Sequence, residues 1–108
     1  MGAKYRTIIG GVLIDVEFND CLALRILGTS CRKEEECIRP NMKSGDVYDF
    51  IKGGWRIFPQ ERNIPLVITE GNEKLSKPIA EITIMRATHY IDRGETRTTG
   101  AYMVRRIL

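Results

Sequence analysis

The sequence predicts a mainly β domain, at the border of α+β, built as a small curved barrel with one or two short helices. Three observations carry this. The dominant hydrophobic period is two, short strand-like runs alternate with turn signals, and glycine pairs stand where strands must bend. At 108 residues the chain is expected to form a single domain, 1–108, with one modest core.

The elements follow in order. The N-terminal stretch MGAKYRTIIGGVLIDVEF is read as a first strand with a bend at Gly10-Gly11. Val12, Ile14, Val16 and Phe18 fall on one side of it, Asp15 and Glu17 on the other. Those two carboxylates interrupt the apolar run too early for a signal peptide, and no run approaches the roughly 20 residues of a membrane helix. The expected location is the cytoplasm. NDCLALRIL (19–27) is read as a helix because Asn19 or Asp20 would cap it and Gly28 would stop it. Leu22, Leu24 and Ile26 on one face keep a strand as the alternative. VYDFI (47–51), WRIF (55–58) and IPLVIT (64–69) are short strands, with Gly53-Gly54 at a second bend. PIAEITIMRATHYI (78–91) is long enough to be a bent strand, DRGE (92–95) is a hairpin turn signal, and TRTTGAYMVRRIL returns as the last strand.

Catalytic chemistry finds little to stand on. The one histidine, His89, sits in a strand pattern beside Tyr90 with no triad partner marked nearby. Glu34-Glu35-Glu36 is a solvated charge run. Cys21, Cys31 and Cys37 are an odd number, so a full disulfide framework is excluded, and reduced thiols are expected. Five residues separate Cys31 from Cys37, outside the two to four usual in a zinc knuckle. No glycine-rich phosphate loop occurs. No metal and no cofactor is therefore expected. The usage of Ile, Arg, Glu and Lys with a single Gln resembles that of a heat-adapted proteome.

What remains is recognition. The net charge is only +3, yet Arg86, Arg93, Arg97, Arg105 and Arg106 crowd the C-terminal segment and suggest a mild basic face. Tryptophan and arginine stack on bases and pair with phosphates, which nominates Lys52, Trp55, Arg56, Arg86 and Arg97 for a nucleic-acid surface. In GGWRIFPQ (53–60), Trp55 shares a strand face with Ile57 and is expected in the core. Arg56 then points the other way, towards solvent or ligand.

The segment LRILGTSCRKEEECIRPNMKSGDVYDF resembles the ASCH group of the PUA-like superfamily. Lys33, Glu34 to Glu36 and Arg39 stand where that group has its Lys, Glu and Arg. Gly45-Asp46 with Phe50 opens the following strand. The resemblance covers the middle third of the chain and implies a pseudo-barrel that binds RNA or modified nucleotides, with Lys33, Glu36 and Arg39 at the cleft. The expected function is a non-enzymatic module for RNA or a nucleotide. The alternative is a structural or protein-interaction domain that acts through an open barrel edge as a homodimer.

Overall fold

The computed structural model describes residues 4–26, 33–69 and 77–108. Nine strands account for most of them: β1 (Lys4–Ile9), β2 (Val12–Phe18), β3 (Leu22–Ile26), β4 (Cys37–Ile38), β5 (Val47–Gly53), β6 (Trp55–Ile57), β7 (Ile64–Thr69), β8 (Lys77–Asp92) and β9 (Glu95–Ile107). One 3-10 turn, Glu34–Glu36, precedes β4. The six strands β4-β3-β7-β8-β9-β5 form a nearly closed barrel-like sheet, and β1-β2-β6 form a second, three-stranded sheet.

The turns that set this topology follow from local backbone preference. Gly10 and Gly11 both have positive φ, 58° and 81°, and Ile9 pairs with Val12 across them. Arg93 and Gly94 repeat the arrangement at φ 51° and 80° between Asp92 and Glu95. Two successive positive-φ residues make the two-residue hairpin turn whose twist matches that of its strands. The expected single N-terminal strand is thus a hairpin, folded back at its glycines. β8 is the long bent strand that the sequence predicts. Its register against β9 shifts at Glu81/Ile82 and at Ile84/Arg86, and such bulges curl a sheet towards closure.

The 19–27 segment corrects the helix expectation, since Leu22–Ile26 is a strand lying parallel to β7 and β4. Leu22 and Leu24 are both buried in the barrel core. A helix would satisfy the local cap and stop but would break this period-two apolar face and leave two neighbouring strands without their ladder. Leu27 and Gly28 lie outside the described residues, so the only helical element among the described residues is the 3-10 turn.

Phe50, Phe58 and Tyr102 centre the core. The Phe50 ring meets Phe58 edge-on at 5.7 Å and Tyr102 at 6.2 Å. Gly100 permits this packing. A Cβ there would stand 2.1 Å from the Arg86 carbonyl oxygen and 2.9 Å from the Phe50 ring. The thiols depart from the expectation of three reduced groups. Cys37 is disulfide-bonded and Cys21 is a half-buried free thiol, while Cys31 lies outside the described residues. An odd count excludes only the pairing of all three. No helix among the described residues is long and apolar enough to cross a membrane.

Candidate binding groove and strand edge

β5 leaves the barrel sheet at Gly53, turns through Gly54 (φ 82°) and enters the second sheet as β6. Hydrogen bonds then sew β6 to the outer part of the β8–β9 hairpin. The Gly54 N–H donates to Thr96 O (2.8 Å), and the Trp55 indole donates to Tyr90 O (2.9 Å). His89 Nε2 donates to Arg56 O (2.6 Å). The wholly buried Thr98 hydroxyl accepts from the Arg56 N–H (2.9 Å) and donates to Gly54 O (2.8 Å).

This stitching opens a groove of about 650 Å³ between β2, β6 and the tip of the β8–β9 hairpin. Trp55, Arg56 and Arg97 line it, three of the seven residues that the sequence nominates. Its apolar wall is Val12, Leu13, Ile14 and Ile91. Trp55 is half-buried at the rim, its ring 5.8 Å from that of His89, so the core expectation is corrected. Phe58 takes the core place instead because it continues inward past the end of β6.

Each charged side chain of the groove has a partner of opposite sign, Asp15 in Arg6 of β1 and the others within the lining. The Arg56 guanidinium donates to Gly53 O and Asn19 Oδ1, each at 2.9 Å, and lies 3.7 Å from the Glu17 carboxylate. The Asn19 amide, more than the nearby cations, holds the Glu17 carboxyl below its usual range. Arg97 is bound to Glu95 and Lys4 lies 3.7 Å from Glu17. Three cations (Lys4, Arg56, Arg97) thus share the lining with three carboxylates (Asp15, Glu17, Glu95).

The other four nominated residues lie outside the groove. Arg39 follows β4 at one end of the barrel sheet and reaches β5 at the other. Its guanidinium donates to Asp49 O (3.3 Å) and Glu34 O (3.0 Å) and stands 5.3 Å from the centre of the Tyr48 ring. Lys52 of β5 donates across the same seam to Ala23 O of β3. Burial, reinforced by Arg56 and Arg25, pushes its ammonium down to about 8. Arg86 makes an exposed ion pair with Asp49 at 3.1 Å. Lys33 is exposed just before the 3-10 turn, where its carbonyl accepts the Glu36 N–H. Gly45 and Asp46 make a turn tied to β9 through Val104 at 2.7 and 2.8 Å.

Among the described residues no three of His, Cys, Asp and Glu are grouped to hold a metal ion. Burial raises the Cys21 thiol above its ordinary value, which disfavours the thiolate a nucleophile would need.

The second feature is a strand edge. β1 pairs with β2 and, among the described residues, with no other strand. None of its residues is buried, and Ile8 is 67% exposed. The apolar turn beside it, Ile9 through Leu13, is exposed as well. Ile9 and Val12 flank a two-residue turn and exchange both backbone hydrogen bonds, and the exchange recurs at every second pair. Tyr5 and Thr7 therefore bond β2, while Lys4, Arg6 and Ile8 turn their N–H and C=O groups to the open edge. The sequence carried a signal for this hairpin: a Gly-Gly pair between two apolar pairs, IIGGVL. Its exposure carried none.

No family model matches the chain, and no match to it is found among the curated proteins or the solved structures.

Proposed function

We propose that this chain is a non-enzymatic protein-interaction domain that works by taking up a β-strand at the free edge of β1. The observation that supports this is β1 itself, a strand with no buried residue and, among the described residues, with one side of its backbone unpaired. Proteins blunt an exposed edge with charge, proline or a bulge unless pairing is its purpose. On β1 each of the two cations has a carboxylate beside it on β2, Arg6 with Asp15 at 2.7 Å and Lys4 with Glu17, which Arg56 shares, at 3.7 Å. Neither a proline nor a register shift interrupts it.

Backbone amide exchange tests the reading. In dilute protein the Arg6 and Ile8 amides should exchange rapidly while Thr7 and Ile9 are protected. A peptide of alternating valine and threonine should slow Arg6 and Ile8, and Ile8→Pro should abolish the effect without loosening β1 from β2. Protection of Arg6 and Ile8 that persists at dilutions where light scattering gives the mass of one chain would sink the idea.

The groove favours a second reading, a nucleotide or single-stranded RNA held by Trp55, Arg56 and Arg97. Quenching of Trp55 fluorescence by a short RNA, reversed by moderate salt, would support it, because released counterions drive phosphate binding. A spectrum that RNA leaves unchanged would remove it. The paired charges of the groove favour the first reading.

A further inference from the structure

We propose that the strand received at this edge is β1 of a second copy of the chain, antiparallel, with Thr7 on the two-fold axis. This rests on the reading of β1 as a pairing edge and names its partner.

The argument is one of register. Tyr5, Thr7 and Ile9 share a face of the hairpin with Val12, Ile14 and Val16, and Lys4, Arg6 and Ile8 share the other with Leu13, Asp15 and Glu17. A two-fold axis perpendicular to the sheet keeps each face on its own side. The axis must then pass through a residue, and the two placements of greatest overlap centre on Arg6 or on Thr7. Centring on Arg6 sets two guanidinium groups opposite each other, which is unfavourable. Centring on Thr7 sets Thr7 against Thr7, Tyr5 against Ile9 twice, and Arg6 against Ile8 twice. Threonine pairs and aromatic–β-branched pairs are among the favourable cross-strand combinations. Both would fall at the positions that do not exchange hydrogen bonds, where side chains lie closest.

Charge agrees with this choice. Each cation of β1 has a carboxylate beside it on β2, Glu17 being shared with Arg56, and this register sets no cation opposite another. The resulting sheet, β2-β1-β1-β2, would carry a continuous row of Val16, Tyr5, Ile9 and Val12 across the joint. Tyr5 and Ile9, each 46% exposed in the single chain, would cover each other there. An isologous edge of this kind closes on itself after two chains and does not propagate into a fibre.

The test places cysteine at the axis in a Cys21→Ser background, so that the free thiol does not compete. Directly opposite Cβ atoms lie about 4.5–5.5 Å apart, within reach of a disulfide after a small adjustment. Thr7→Cys should form a covalent dimer under mild oxidation, Arg6→Cys should not, and Ile8→Pro added to Thr7→Cys should prevent it. Light scattering should give twice the 12.3 kDa of one chain, with little change at high salt. Trp55 fluorescence confirms that each variant is folded. Crosslinking of Arg6→Cys in place of Thr7→Cys would overturn the register. A mass of one chain at every concentration, with no crosslink, would overturn the second copy as partner. A dimer that survives Ile8→Pro would overturn the reading of β1 itself.

Discussion

Gly100 shows how closely one position can be prescribed by its surroundings. The hydrogen it carries in place of a side chain faces the Arg86 carbonyl, where a Cβ would stand at 2.1 Å. Gly100→Ala should destabilise the fold by about 2–3 kcal/mol, the upper range for overpacking; a urea midpoint equal to that of the parent would refute this. Lys52 illustrates a different constraint. Its folded-state value of about 8 lies below the ordinary 10.5, so the unfolded chain binds more protons between those limits. The Lys52 contribution to stability therefore rises as pH increases from about 8 to 10.5. Lys52→Met should remove that rise, and the difference between the two denaturation profiles isolates it from Cys21 and the tyrosines. Identical slopes would show that the ammonium is solvated. The sequence marks both residues by type alone, and neither consequence can be read without the strand opposite.

At the scale of elements, the barrel seam turns two nominated ligand contacts into fasteners. β4 is two residues long and cannot close a ladder with β5, so Arg39 crosses the gap by side chain and Lys52 joins β5 to β3. Arg39→Ala should cost about 1–3 kcal/mol, since it removes hydrogen bonds from a charged donor to backbone carbonyls and the contact with Tyr48. Arg86→Ala, which breaks an exposed pair with Asp49, should cost no more than about 0.5 kcal/mol. Equal losses in thermal unfolding would mean that Arg39 does not hold the seam. The β8–β9 hairpin was the most legible element, because its alternation is long and Arg93-Gly94 suits its turn. β3 was the least legible. Five residues of period-two pattern between a cap and a stop signal fit helix and strand alike, and only the parallel ladder with β7 separates them.

For the whole molecule, the proposed dimer makes stability a function of concentration, because association that only the folded state can make shifts unfolding by mass action. The midpoint of thermal unfolding should rise with protein concentration for the parent chain and stay constant for Ile8→Pro. A constant midpoint in both would count against the dimer. The two sheets also divide the labour. The barrel buries Phe50, Phe58 and Tyr102, whereas the β1–β2 hairpin exposes apolar side chains that the core does not use.

By itself the sequence determined the β class, most strand boundaries and the β8–β9 hairpin, while it read the β1–β2 hairpin as one bent strand. Alternation and turn chemistry are properties of neighbours along the chain, so they are written locally. Tertiary structure decided the strand at β3, the place of Trp55 at a rim and the pairing of the arginines. It also decided that, among the described residues, β1 has one side without a partner strand. Each of these depends on what a distant segment brings near. Arg56 reads as a ligand contact until Asn19 and Glu17 arrive beside it, and KYRTII reads as an ordinary strand until no described strand is found on its outer side.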